Sequence, residues 1–245
     1  MNGGIFIHIL IIGQDPRYDI LELELSKKYQ VIRSNDINID LSIYDIIILP
    51  MKGINDSISL DNLKNTKDTC IIYTGINNLG NLNREVISFL DDLDIKNEND
   101  NITVEGIIDY IKDIKHDKIC LLGYGNIGKK LYQKLNNNIN SIGVIDKKDK
   151  ELLGSMAFYT NDSIMKEKLI NCDLIINTVP HNIITLSNSS NLDTPILDIA
   201  SIPYAVSKEV IDKNNLNYYL YSGIPGKYDP VRSGKILLKK IRGGK

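Results

Sequence analysis

Three glycines, at positions 123, 125 and 128, carry the clearest chemical signal in this 245-residue chain. They follow the apolar run Lys118-Ile119-Cys120-Leu121-Leu122. They precede a stretch in which Ile127, Leu131 and Leu135 recur at helical spacing. The pattern reads as strand, tight turn, helix. In such a turn the first glycine lets the chain bend sharply off the strand. The second removes the Cβ that would keep a pyrophosphate from the backbone, and the third lets the helix pack against the strand. The helix N-terminus adds unpaired N–H groups and the positive end of its dipole. The expected chemistry is binding of a dinucleotide, with Gly123, Tyr124, Gly125, Asn126, Ile127 and Gly128 at the phosphates. A second apolar run, 141–145, ends in Asp146, which lies 146 − 128 = 18 residues beyond Gly128. Dinucleotide fingerprints place a ribose-binding acid about 20 residues on. Asp146 repels a 2′-phosphate while Lys147 and Lys148 attract one. The balance leans slightly to NAD, with NADP kept open.

Further candidates lie where apolar runs end, since open α/β sheets bind ligands at the carboxyl ends of their strands. Ile175-Ile176 leads into Asn177-Thr178-Val179-Pro180. Thr178, Val179 and Pro180 are the residues expected to line a nicotinamide ring. Leu197-Asp198-Ile199 leads into Ala200-Ser201-Ile202-Pro203, and Tyr219-Leu220-Tyr221 into Ser222-Gly223-Ile224-Pro225-Gly226-Lys227. Ser201 and Lys227 are substrate-side candidates, and Ser201 is also carried as a catalytic one. Earlier in the chain, Gly13-Gln14-Asp15-Pro16-Arg17 follows the first apolar run. The planar guanidinium of Arg17 suits a carboxylate; a surface ion pair with Asp15 or Asp19 explains it equally well. Thr103-Val104-Glu105-Gly106 opens a helical stretch. Thr103 would touch substrate and Glu105 would accept a proton, or Glu105 simply complements the helix dipole. His181 and His116 read as bystanders, and His8 as a core histidine. No Cys/His cluster suggests a metal.

The elements needed to hold these loops follow from hydrophobic patterning. Strands are expected near 5–12, 29–33, 44–49 and 69–74, then near 118–122, 141–146, 156–159, 173–177, 195–199 and 216–221. Their continuous Ile/Leu/Val character fits parallel sheets covered on both faces. Helices are expected at 18–28, 85–93 and 102–114, with a polar break at 96–101 and a helical tail at 231–241. The expected fold is α/β, with two open parallel-sheet domains and a cleft between them. Residues 1–101 would form a flavodoxin-like substrate domain, 102–115 a bridging helix and 116–230 a Rossmann-type domain. Residues 231–245 would form a C-terminal helix that could pack back on the first domain.

The ordered set of loops resembles the A-subunit of dipicolinate synthase. The motifs are Gly-Tyr-Gly-Asn-Ile-Gly-Lys at 123–129, Asn-Thr-Val-Pro at 177–180, Asp-Ile-Ala-Ser at 198–201 and Gly-Ile-Pro-Gly-Lys at 223–227. Gly-Gln-Asp-Pro-Arg at 13–17, Ile-Leu-Pro at 48–50 and Thr-Val-Glu-Gly at 103–106 complete it. The resemblance implies a sporulation enzyme of the mother-cell cytoplasm that works with the flavoprotein-like B-subunit of dipicolinate synthase. Together they would oxidise dihydrodipicolinate, a small dicarboxylate, to pyridine-2,6-dicarboxylate, passing hydride to NAD or NADP. Departures fall on the substrate side: Ile202 follows Ser201 where the family has an arginine, and Tyr204 and Ala205 stand where it has glycines. Two other readings stay open, a 2-hydroxyacid or shikimate-type dehydrogenase and a non-catalytic dinucleotide-binding module.

Bulk composition is compatible with all three. A formal net charge of −2 and a pI near 5.9 give no pull toward nucleic acid. The opening apolar stretch lacks the basic start and cleavage site of a signal peptide and is too short to span a bilayer. Three cysteines, each in or beside an apolar run, read as reduced thiols of a cytoplasmic protein. A homo-oligomer is compatible with the sequence.

Overall fold

The computed structural model describes residues 7–36, 39–54, 58–135, 141–145 and 162–243. The chain divides into two compact units, one of residues 1–102 and 225–245, the other of residues 103–224.

The first unit is built on a five-stranded, wholly parallel sheet. Its strands are β1 (His8–Ile12), β2 (Gln30–Ser34), β3 (Ile46–Ile48), β4 (Ile71–Thr74) and β5 (Glu85–Ser88), in the spatial order β2-β1-β3-β4-β5. That is the order of flavodoxin-like sheets. Alternate residues of β1 enter different cores. Ile9 and Ile11 pack with α1 (Arg17–Leu25), while Leu10 and Ile12 pack with Leu41, Tyr44 and, from α2 (Leu60–Leu63), Leu63 on the other face. The continuous apolar run thus follows from burial on both faces. The tail helix, with Leu237, Leu238 and Ile241, joins the core that holds Tyr18, Leu21 and Leu25 of α1.

Three expectations fail in this unit. Residues 85–93 are not a helix, because Glu85–Ser88 pair in parallel with β4 as the edge strand. Four residues are too few to show a period, and the half-buried β-branched Val86 and Ile87 suit a sheet edge. Residues 96–101 are not a break, because α3 runs from Leu93 to Ile111 straight through them. The Asp92 side chain accepts from the N–H groups of Asp94 and Ile95 at 3.1 and 3.3 Å, capping the helix. Arg232 then pairs with Glu98 at 2.6 Å and Lys240 with Asp92 at 2.8 Å. Ile95 and Ile102 supply the buried stripe, so the polar residues occupy the other faces of one helix. His8 is no core residue either. It opens β1 with its side chain 39% exposed, 3.7 Å from Asp45.

The second unit repeats the topology. Its strands are β6 (Lys118–Leu122), β7 (Ser141–Ile145), β8 (Leu174–Asn177), β9 (Ile196–Asp198) and β10 (Tyr218–Leu220), in the order β10-β9-β8-β6-β7, all parallel. The expected strand at 156–159 lies outside the described residues. Helix α4 (Asn126–Leu135) follows β6 and buries Gly128, Leu131 and Leu135, the face foreseen from spacing. Ile119 and Leu121 of β6 join the core of Leu131 and Ile107; Cys120 and Leu122 join that of Met165 and Leu169. Helices α5 (Asp162–Ile170), α6 (Lys208–Asn214) and α7 (Ile224–Tyr228) were not foreseen. The last turns the expected Gly-Ile-Pro-Gly loop into a helical turn. Most of α7 and all of α8 (Pro230–Gly243), the tail helix, belong to the first unit.

Both sheets are fully parallel and open, so the α/β reading holds. Among the described residues, no helix is long and apolar enough to cross a membrane. The three cysteines are free thiols; Cys70 and Cys120 are buried, and Cys172 is partly exposed.

Candidate functional site

The candidate site lies at the carboxyl end of β6, beside the point where the strand order of the second sheet reverses. β6 sits between β7 and β8, so its carboxyl end is the position at which open α/β sheets bind their ligands. Gly123 turns off the strand with φ +95°, in the region that favours glycine. A Cβ there would stand 2.5 Å from Thr178 Oγ1 and 2.7 Å from Val179 Cγ2. A Cβ on Gly128 would stand 2.2 Å from the carbonyl oxygen of Gly123. At Gly125, by contrast, a Cβ would meet nothing within 4 Å. Two glycines are therefore consumed by the fold and the middle one faces open space. That difference fits a diphosphate lying against Gly125 at the start of α4, where Lys129 N–H already donates to the Gly125 carbonyl at 2.9 Å.

The loop after β8 forms the wall beside this turn. Thr178 sends both its backbone N–H and its Oγ1 to the Leu122 carbonyl, each at 2.9 Å. Asn177 is fully buried. Its amide donates to the Val179 carbonyl at 3.0 Å and to Asp198 Oδ1 at 2.8 Å, and its Oδ1 accepts from Val179 N–H at 3.0 Å. Asp198 is 0% exposed. Besides Asn177 it accepts from Ala200 N–H at 3.0 Å, Ala205 N–H at 2.8 Å and Tyr218 OH at 2.9 Å. Burial, with the Asp198 carboxylate beside it, holds the Tyr218 phenol well above its ordinary pKa. Among the described residues no buried side-chain nitrogen or oxygen lacks a hydrogen-bond partner. Sequence reasoning quoted Asn177 and Asp198 without a role and passed over Tyr218. The available signal was an acid embedded in the apolar run Ile196-Leu197-Asp198-Ile199, where a charge demands partners.

The other expected cofactor residues fall out unevenly. The Tyr124 side chain does not face the turn's open side; it is buried in the core with Val104, Ile107 and Leu131 and meets Tyr132 edge-on at 5.9 Å. Ile127 is partly buried against the same core, and Asn126 is exposed at the helix start. Pro180 and His181 are exposed. Asp146 and Lys147 lie outside the described residues.

Substrate-side candidates belong to different units. Thr103, buried, and Glu105, half-buried, lie in α3, and Ser201 is exposed in the loop after β9. Arg17 lies in the first unit and is 5% exposed. Of its two possible partners it takes Asp15, bidentately, with Nε 2.8 Å from Oδ1 and Nη2 2.6 Å from Oδ2. Asp19 pairs instead with Arg33, which also donates to the Gly13 carbonyl at 2.9 Å. A Cβ on Gly226 would lie 2.8 Å from Asp15 Oδ1 and 3.2 Å from Arg17 Nε, so the chain just before Lys227 presses on this pair. Lys227 itself is exposed.

Burial disfavours the Asp15 carboxylate, but the hydrogen bonds and charge of Arg17, helped by Arg33, hold its pKa below the ordinary value. The folded pKa is thus depressed. The pair's contribution is present above the unfolded value near 3.8 and is lost as pH falls through the folded one. An Asp15→Asn variant is expected to lose about 2–3 kcal/mol at pH 7, because Arg17 is left buried without its counter-charge. That difference should persist down to about pH 4 and shrink below it. Urea unfolding at pH 7 and at pH 3 checks both numbers.

Comparison with known proteins places this geometry among relatives. No protein-family model matches the chain. Over 197 residues it is 29% identical to the dipicolinate synthase A-subunit of Bacillus subtilis (strain 168), a match covering 72% of this chain and 65% of that protein. The chain therefore matches less than two thirds of that relative's length. In structure it is similar to the dipicolinate synthase A-subunit from Bacillus halodurans, with TM-score 0.76 and 23% identity over 98% of each chain. It is also similar to an NAD-dependent formate dehydrogenase from Staphylococcus aureus solved in complex with NAD, with TM-score 0.60 and 11% identity over 96% of this chain and 94% of that one. The resemblance read from the loops is thus matched in sequence, and the fold is that of two-domain Rossmann dehydrogenases.

Proposed function

We propose that this chain is an NAD(P)-dependent oxidoreductase that serves as the dinucleotide-binding component of a dipicolinate synthase. The observation that carries the reading is the difference among the three glycines: Gly123 and Gly128 are filled by the protein, and Gly125 opens on space at a helix start. The similarity to the dipicolinate synthase A-subunit supports this reading. The reaction would be oxidation of dihydrodipicolinate to the aromatic dicarboxylate during sporulation.

Bound nicotinamide would supply the hydride acceptor. The backbone at Gly123, Gly125, Asn126, Ile127 and Gly128 would hold the diphosphate, with Asp146 at the ribose and Lys147 available to a 2′-phosphate. Thr178, Val179 and Pro180 would line the nicotinamide face and exclude water from it. NAD would be slightly favoured over NADP, because Asp146 would repel a 2′-phosphate.

The substrate is a ring bearing two carboxylates, so it needs cationic or N–H-rich clamps. Arg17, Thr103, Ser201 and Lys227 are assigned to it. Asp15 occupies the Nε/Nη2 edge of Arg17, so a substrate carboxylate would meet the Nη1/Nη2 edge. Glu105 would accept the proton released on aromatisation, and Ser201 would assist at the ring. Aromatisation supplies the driving force, so positioning of the ring carbon about 3–3.5 Å from the hydride acceptor should dominate the rate. The partner would be the flavoprotein-like B-subunit, in the mother-cell cytoplasm.

The test is incubation with that flavoprotein-like partner, dihydrodipicolinate and NAD or NADP, following ultraviolet absorbance of pyridine-2,6-dicarboxylate. Product formation that requires this chain is expected. Turnover of a 2-hydroxyacid instead, or cofactor binding with no turnover in the presence of the B-subunit, would overturn the assignment.

A further inference from the structure

We propose that Asp198, Asn177 and Tyr218 act as positioning residues for the nicotinamide half of the cofactor site, an inference that rests on the dinucleotide-binding reading above. Their hydrogen bonds follow the spatial order of the strands. Tyr218 on β10 donates to Asp198 at the end of β9, and Asn177 at the end of β8 donates to the same carboxylate. The next residue, Thr178, bonds twice to the Leu122 carbonyl at the end of β6. A polar chain, buried at Asn177 and Asp198 and half-buried at Tyr218 and Thr178, thus runs from the sheet edge to the glycine turn.

The chain fixes a specific geometry. A side-chain amide can sit in either of two orientations about its terminal bond. Asp198 Oδ1 accepts only, so it forces the Asn177 Nδ2 toward β9 and the Asn177 Oδ1 toward Val179 N–H, the bonds seen at 2.8 and 3.0 Å. With that amide set, Thr178 Oγ1 and Val179 Cγ2 are held where a Cβ on Gly123 would strike them at 2.5 and 2.7 Å. The same carboxylate takes Ala200 and Ala205 N–H, so it also sets the loop that carries Ser201. One fully buried carboxylate therefore holds both the loop assigned to the nicotinamide and the loop that carries Ser201 on the substrate side. The diphosphate half should depend on it less, since Gly125 opens α4 directly and gives its carbonyl to Lys129 N–H within that helix at 2.9 Å.

The prediction is a split between ligands. NAD and NADP reach the loop after β8; ADP-ribose carries the diphosphate but no nicotinamide. Calorimetric titration of the full chain, wild type and variants, with all three ligands measures it. Asp198→Asn presents an amide N–H to groups that are themselves donors. It should weaken NAD about tenfold or more, equivalent to about 1.4 kcal/mol, while ADP-ribose changes less than about twofold. Tyr218→Phe keeps the ring and removes one donor, so it should show the same split at about threefold; it carries the test if Asp198→Asn does not fold. A merely structural role would weaken both ligands alike. Equal weakening, or unchanged NAD affinity in both variants, overturns the proposal. Wild-type protein that binds none of the three ligands would instead remove the dinucleotide reading, and this inference with it.

Discussion

A Gly125→Val variant is expected to bind neither NAD nor NADP at concentrations that saturate the parent, a loss of at least about 100-fold or ~2.7 kcal/mol, while remaining folded. The space at this position is open, with no atom within 4 Å of a built Cβ. The valine side chain would fill the volume proposed for the diphosphate and push it off the helix N–H groups. The effect on the fold is limited to the start of α4, where Gly125 gives its carbonyl to Lys129 N–H. Valine in place of glycine at a helix start costs about 1 kcal/mol. Calorimetry for affinity and circular dichroism for folding separate the two effects. Retained nucleotide affinity in a folded variant would remove the central assignment.

Gly128→Val should behave in the opposite way. Its Cβ would lie 2.2 Å from the Gly123 carbonyl oxygen and 3.0 Å from its carbonyl carbon, both backbone atoms at the end of β6. Backbone cannot rotate aside as a side chain can, so the helix must lift from the strand. Leu131 and Leu135, buried on the same helix, would lift with it. Overpacking in a well-packed core commonly costs 1–3 kcal/mol; a clash with backbone that also displaces buried leucines should reach about 3–5 kcal/mol. Urea unfolding checks it, and an unchanged midpoint would show that α4 does not sit as described. Together the two variants separate a glycine kept for a ligand from one kept for packing, although the motif writes them identically.

How much of this was legible depended on how local each feature was. The strand at Lys118–Leu122, the turn and the helix to Leu135 were readable because glycine conformation and helical spacing act over a few residues. The choice of Asp15 over Asp19 by Arg17 was not readable, since both acids lie two residues away. Arg33, on the neighbouring strand, settles it by taking Asp19. The polar stretch at 96–101 reads as a break because the partner of Glu98, Arg232, lies 134 residues away, and Lys240, which pairs with Asp92 ahead of the stretch, lies farther still. Tyr124 was grouped with its neighbours in the turn, although the core claims its ring.

By itself the sequence determined two parallel α/β sheets, the glycine-rich turn after β6 and the set of loops that resembles one enzyme family, because these depend on local backbone preference and on the continuity of apolar runs. Only the tertiary structure decided which glycine faces open space, which acid holds Arg17, and that Asp198 gathers four donors from Asn177, Ala200, Ala205 and Tyr218. Hydrogen bonding and close packing act across strands that adjoin in space rather than in sequence, and a buried charge takes whichever partners the sheet order brings to it.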